Sequence, residues 1–282
     1  MNESERYLFD LQGFLYIPSL LSSDEADRLH VAALELEQHA LSCRNNSTQW
    51  QAVWGHKYWQ NEEHSYFANL SGEANKETLM VEDFWLYPNA FDFLIGHNRT
   101  MSYVNRIIQK EISINNSELR IRYPNNFSRM HMGHAHGRGP KYRYEVVDGE
   151  IQATMVRMIY FLHDVAMDEG PTCFVPGSHR NALPVPVETK SVEEETGVVG
   201  LPVKAGDGIL FTEACRHGGF TNRSDKTRYT LHVGYGPHFL KSQNISTMDE
   251  EVHVTDELLA RLTDDQRRWL VPTRRTALDR DT

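Results

Sequence analysis

Residues 129–139 read RMHMGHAHGRG and place three histidines, His131, His134 and His136, in six positions among glycines. Neutral imidazole is the commonest metal ligand among side chains, and side chains at i and i+2 of an extended segment share a face. No Asp or Glu lies in the stretch to act as a third donor. Two later segments supply more chemistry. In DEGPTCFVPGSH (168–179), Gly170 and Pro176-Gly177 punctuate a buried-looking strand that ends in Ser178-His179. In GDGILFTEACRHGGFTNRSDKTRYTLHVGY (206–235), His217 follows an apolar strand and Arg228 begins the next run. Two histidines plus one oxygen donor leave positions open for substrates on iron(II), and a fixed guanidinium fork suits a carboxylate. Together these residues describe a metal and an acid co-substrate.

The elements that must position them change character along the chain. The N-terminal part is helical. After a short β-like run, Phe14 to Ile17, Pro18 breaks the chain and Ser22 with Glu25 forms a capping-box signature. Ala26, Leu29, Ala33, Leu36 and Ala40 then share one helical face. Residues 44–75 are polar and lack periodicity, which predicts a long, partly ordered excursion. Phe91, Leu94, Met101, Val104 and Ile108 recur at helical spacing and predict a second long helix despite Gly96.

After residue 117 the pattern alternates. ELRIRY, KYRYEVV, EIQATMVRMIYFL, PTCFV, GVVGLPV, GDGILFT and TRYTLHVGY are short runs rich in β-branched and aromatic residues, and VVDGEI carries an Asp-Gly hairpin signal. The tail from Thr255 predicts one short helix and a polar end. The expected class is mainly β with flanking α-helices, a barrel or two-sheet sandwich. A single unit over residues 1–282 is expected, with a helical part at about 20–112, a β core at about 117–238 and a C-terminal helix and tail at 255–282.

Composition bounds the function. The chain has 282 residues, 40% of them hydrophobic, enough for a sizeable core. Lys and Arg total 29 against 39 Asp and Glu, a formal charge of −10, which argues against nucleic acid or an anionic membrane as partner. Three scattered cysteines, Cys43, Cys173 and Cys215, form no disulfide framework, and no targeting segment or long apolar run appears. A cytoplasmic protein is expected.

Three segments, FDLQGFLYIPSLLSSDEADRL, YFLHDVAMDEGPTCFVPGSHR and AGDGILFTEACRHGGFTNRSDKTRYTLHVGY, resemble the phytanoyl-CoA dioxygenase family of iron(II)/2-oxoglutarate oxygenases. The resemblance spans about residues 7–237 and rests chiefly on the Pro-Gly-Ser-His segment and the eleven-residue step from His217 to Arg228. It implies a double-stranded β-helix (jelly roll, cupin-like) and iron(II) and 2-oxoglutarate as cofactors. It further implies His217 as the distal iron ligand, Arg228 as anchor of the 2-oxoglutarate carboxylate, and Asn222 and Thr212 as neighbours of the co-substrate. The implied reaction couples oxidative decarboxylation of 2-oxoglutarate to succinate with oxidation, by default hydroxylation, of a C–H bond of a small-molecule substrate by O2.

The proximal ligands depart from the family, which usually has His-x-Asp. Here His131-Met132-Gly133 resembles the His-x-Gly of iron halogenases, whereas His134-Ala135-His136 would make an all-histidine triad. The stretch AHGRGP also resembles family members with His-Gly-Gly, which points to His136. A three-histidine dioxygenase without 2-oxoglutarate and a non-catalytic metal-binding jelly roll are the competing classes. The remaining polar residues have plainer readings. His179 suits a turn hydrogen bond, His163, His232 and His238 suit satisfied positions in or beside strands, and Asp164 and Asp168 suit turn formation. Trp50, Trp54, Trp59 and Trp85 suit core packing or a pocket wall.

Overall fold

The computed structural model describes residues 1–51, 57–73, 77–87, 89–132, 140–181, 183, 185, 189–240 and 254–270. In chain order the helices are α1 (Glu3–Gln12), α2 (Ser23–Cys43), α3 (Asn98–Val104), α4 (Asp256–Arg261) and α5 (Asp264–Leu270). The first seven strands are β1 (Phe14–Ile17), β2 (Thr48–Gln51), β3 (Lys57–Gln60), β4 (Phe67–Ser71), β5 (Thr78–Glu82), β6 (Ile112–Arg122) and β7 (Ser128–His131). They are followed by β8 (Tyr144–Val147), β9 (Glu150–Ala153), β10 (Val156–Phe161) and β11 (Thr172–Phe174). The last four are β12 (Val199–Gly200), β13 (Gly208–Thr212), β14 (His217–Gly219) and β15 (Arg228–Pro237).

Two antiparallel sheets make the expected jelly roll. The larger has nine strands in the order β1-β13-β10-β15-β6-β5-β4-β3-β2, and the smaller runs β12-β11-β14-β7. Side chains alternate across the larger sheet because successive residues of a strand face opposite sides. On one side Leu119, Ile121, Val156, Met158, Leu210, Leu231 and Val233 join Leu29, Ala33 and Leu36 of α2 in the main apolar core. On the other, Ile159, Phe161, Ile209 and Phe211 meet Phe174 of the smaller sheet and Phe14, which close one end of the space between the sheets.

Several local predictions hold. Ser22 and Glu25 cap α2 reciprocally, and its buried face includes Ala26, Leu29, Ala33, Leu36 and Ala40. The Asp-Gly hairpin joins β8 to β9 with Asp148 and Gly149 both at positive φ, 53° and 78°, as a type I′ turn requires.

Three expectations are corrected. The polar excursion of residues 44–75 contains β2, β3 and β4, which extend the larger sheet. Tyr58, Trp59 and Ala68 are buried there, and the large share of polar side chains between them hid the strand period. The second long helix reduces to a 3₁₀ turn at Asp92–Leu94 and the seven-residue α3, because Gly96 adopts φ 75° and interrupts the helix. In the tail, α4 ends at Leu262 in extended backbone, so the single predicted helix is two. Helix α1, capped by Asn2 and Glu5, was not anticipated. Among the described residues no helix is long and apolar enough to cross a membrane.

α1 turns into β1 through Gly13 at φ 85°, where an added Cβ would meet His179 Nδ1 at 2.5 Å and Cys215 at 3.0 Å. Left-handed strain and overpacking therefore act together, and Gly13→Ala should lower unfolding free energy by about 2 to 4 kcal/mol. Urea denaturation checks this, and an unchanged midpoint contradicts the packing described.

Candidate metal and co-substrate site

His131 ends β7 and His217 begins β14, and antiparallel pairing sets the two directly opposite each other. Their ring centroids are 4.2 Å apart. The ladder shifts register between His217 and Gly219, where Gly218 permits the approach: a Cβ there would meet Ser128 O and Met130 Sδ at 2.7 Å. Each imidazole places Nδ1 2.8 Å from a backbone carbonyl oxygen, of Arg129 for His131 and of Cys215 for His217. A carbonyl only accepts, so Nδ1 is the protonated nitrogen of each ring and Nε2 keeps its lone pair. Metal-binding histidines are ordinarily oriented in this way.

His217 is buried beside Phe211, with ring centroids 4.5 Å apart, whereas His131 stands exposed at the mouth. Burial and the adjacent His131 push His217 down to about 3, and desolvation also lowers His131. Both rings are therefore neutral donors at pH 7.

Glu213 follows β13, and its Oε2 lies 4.0 Å from His217 Nε2. Oε1 pairs with Arg157 Nε at 2.6 Å. Burial alone would raise the Glu213 carboxyl, but Arg157, His217 and His131 outweigh it and hold the group below its ordinary value. It is thus an ionised carboxylate beside His217. Arg157 also reaches Glu118 Oε2 at 3.2 Å, and Arg120 pairs with the same glutamate. An alternating chain of charges links β6, β10 and the end of β13.

Deeper in the same pocket, Arg228 begins β15 and lies opposite Arg122 of β6. Both are buried. Arg228 donates through Nη1 to Gly170 O. Arg228 Nε and Arg122 Nε and Nη1 have no partner among the described residues, nor does either guanidinium face a carboxylate there. Gly219 leaves them room, since a Cβ at that position would stand 3.1 Å from Arg122 Nη1 and 3.7 Å from Arg228 Nη2. Burial pushes Arg228 down to about 10, and burial with the neighbouring arginines also holds Arg122 well below its ordinary value. A pocket joins this pair to His131, His217 and Glu213, with Ser128, Ile159, Thr172 and His232 also in its wall.

The structure thus brings together His131, His217 and Arg228 of the sequence-predicted set. His134 and His136 lie outside the described residues. Thr212 and Asn222, expected as co-substrate neighbours, do not line the pocket. Alternation turns Thr212 away from the face of Phe211 and Glu213, and its hydroxyl approaches Met155 O at 3.4 Å. Asn222 holds its own turn through Lys226 O and Ser224. His179 meets Asp10 O, His163 bridges Asp164 O and the Tyr229 amide, and Asp164 caps the Lys204–Ala205 turn. Trp59 and Trp85 are core residues, Trp50 is exposed, and Trp54 lies outside the described residues. His232, expected at a plain strand position, does border the pocket. Sequence reasoning missed Arg122 and Glu213. The run Leu119-Arg120-Ile121-Arg122 carried the signal for the first, because alternating apolar residues place both arginines on the opposite face.

A jelly roll holding two neutral imidazoles over a pair of buried guanidinium groups is the frame of a metal-dependent oxygenase with an acid co-substrate. The phytanoyl-CoA dioxygenase family model matches residues 9–230, and the chain belongs to that family of iron(II)/2-oxoglutarate-dependent oxygenases. Among solved structures it is similar to HygX from Streptomyces hygroscopicus with nickel, 2-oxoglutarate and hygromycin B bound. That likeness has 20% identity and a TM-score of 0.68 over 85% of this chain and 89% of HygX. The carbocyclase SnoK from nogalamycin biosynthesis shares 18% identity over 93% of this chain and 91% of its own, with a TM-score of 0.58. AviO1 from Streptomyces viridochromogenes Tue57 shares 19% over 84% and 95%, with a TM-score of 0.55. At such identities the likeness establishes the fold. Comparison with curated protein sequences gives no match.

Glu118 is the hinge of the charge chain. Burial raises its pKa, but Arg120 and Arg157 dominate and bring it to about 2. A folded value below the unfolded one contributes stability that is present above the unfolded pKa, near 4.5, and is lost as pH falls toward 2. Glu118→Gln should therefore flatten the acid limb of stability between those values. At pH 7 it should cost roughly 3 to 5 kcal/mol by stranding the arginines. Denaturant titrations at a series of pH values check both effects.

Proposed function

We propose that this chain hydroxylates a C–H bond of a small-molecule substrate, with His131 and His217 holding iron(II) and Glu213 supplying the carboxylate absent from position 133. Arg228, joined by Arg122, receives the distal carboxylate of 2-oxoglutarate. The observation that carries this reading is the meeting, in one pocket, of two Nε2 donors and two buried guanidinium groups without a carboxylate. Iron(II) with 2-oxoglutarate and O2 supplies the oxidising chemistry: one oxygen atom goes into the substrate C–H bond and the other into succinate, with loss of CO2.

The protein's own residues do the rest. Carbonyls 129 and 215 fix the ring tautomers, Arg157 orients Glu213, and the arginine pair selects a dicarboxylate over a monoacid. Phe211 and Ile159 keep part of the pocket wall apolar and limit water there. Hydroxylation is the default reading for this frame; the epimerase SnoN and the carbocyclase SnoK have similar folds and carry other reactions.

The donor set is tested by adding iron(II) to the metal-stripped protein. His131→Ala and His217→Ala should each abolish both stoichiometric iron binding and succinate formation. Glu213→Gln should weaken iron binding by about 10- to 100-fold while the fold, followed by circular dichroism, persists. Full iron content and turnover in all three variants would remove this centre from consideration.

The arginine pair is tested separately. Arg228→Ala and Arg122→Ala should each raise the KM for 2-oxoglutarate by about 10- to 100-fold, the loss of one charge-assisted contact, with iron affinity retained. In binding experiments, 2-oxoglutarate should raise the melting temperature of the wild type more than a monocarboxylate does. Consumption of 2-oxoglutarate that is indifferent to both arginines would assign the co-substrate to another place.

A further inference from the structure

Away from the barrel, α2 and the turn between β3 and β4 bring a second group of donors together. The ligand atoms of His39, Glu63 and His64 all lie within 4.8 Å of one another, and none of the three lines the barrel pocket. His39 projects from α2 one turn before Cys43, whose Sγ is 3.8 Å from His39 Nε2. Its other nitrogen, Nδ1, is held at 2.7 Å by the hydroxyl of Tyr66, a fully buried residue.

The opposing side is equally fixed. Asn61 Oδ1 accepts from the His64 amide at 2.7 Å, Asn61 O accepts from Ser65 N at 2.9 Å, and Ser65 adopts φ 62°. That turn delivers Glu63 and His64 as neighbours, with His64 Nε2 and Glu63 Oε1 3.8 Å apart. Tyr87 packs against both imidazoles, at 5.2 Å from His39 and 5.3 Å from His64. The two rings are thus oriented from behind, while Glu63 is exposed and free to adjust.

We propose that His39, Glu63 and His64 form a second metal site, for a divalent cation of the zinc class, which staples α2 to the β3–β4 turn. Two imidazoles and a carboxylate are a zinc donor set, and a thiol nearby favours zinc over harder cations. Donors of a tetrahedral zinc stand about 3.4 Å apart, so a contraction of at most about 1.4 Å closes the site. Rotation of the exposed Glu63 side chain supplies much of that. In the sheet order β3 is three strands from β6, roughly 14 Å at ordinary strand spacing, so the site is separate from the barrel centre and does not depend on its assignment.

The test is a count of zinc equivalents by calorimetric titration of the metal-stripped full chain with zinc chloride. Glu63→Ala/His64→Ala, which alters only the turn, should bind one equivalent fewer than the wild type. His39→Ala should weaken that same equivalent by at least about a hundredfold. In His131→Ala/His217→Ala protein the equivalent should persist and should raise the melting temperature when zinc is added. An equal count in wild type and turn variant overturns the proposal, and so does barrel-deficient protein that is folded and takes up no zinc sensitive to Glu63 and His64.

Discussion

Two guanidinium groups lie side by side in the interior without a carboxylate partner among the described residues, and this unbalanced charge organises the pocket. Arg122 Nη1 and Arg228 Nη2 approach one point beside Gly219, so they are no more than about 6.8 Å apart. At an effective dielectric constant near 20 their repulsion is on the order of 2 kcal/mol, before any cost of burial. The fold bears this cost because the two residues are fixed by the ladder of β6 with β15, which runs from Arg228 opposite Arg122 to Pro237 opposite Ile112. The reverse face of that ladder is packed with Leu119, Ile121, Leu231 and Val233. An anionic group entering the pocket would relieve a penalty that is already built in.

The same strands serve core and site because their residues alternate. In β6, Leu119 and Ile121 enter the helix-backed core while Arg120 and Arg122 face the pocket, and in β10 Met158 and Tyr160 face the core while Arg157 and Ile159 face the pocket. A one-residue slip in any of these strands would exchange arginine for leucine in the core. The apolar face therefore sets the register of the charged one. Positions of the pocket groups are fixed by the hydrophobic effect acting on the opposite side of the sheet.

This explains which features could be read from the sequence. The jelly roll, the capped α2, the Asp-Gly hairpin and the meeting of His217 and Arg228 in one pocket were legible because each rests on a local period, a turn dipeptide or a short motif. Arg122 was recorded only within a strand pattern, since its importance arises from Arg228 more than a hundred residues away. Glu213 was not singled out, because its meaning depends on a side chain of β10 and on the bulged pairing of β14 with β7. Strands β2 to β4 stayed hidden for another reason. An edge extension of a sheet can bury a few aromatics such as Tyr58 and Trp59 and still carry mostly polar residues, so its period is weak. Thr212 was misplaced because the family pattern locates it along the strand but does not tell which face it takes.

The position of the acid connects these points. Antiparallel pairing sets His131 against His217, and Glu213 lies in the segment that precedes His217. The carboxylate is therefore delivered from the end of β13, beside His217. It comes at the end of a chain of alternating charges, Arg120, Glu118, Arg157 and Glu213, which holds it ionised and aimed. A carboxylate with that support needs no second acid beside it, where like charges would repel across a few ångströms.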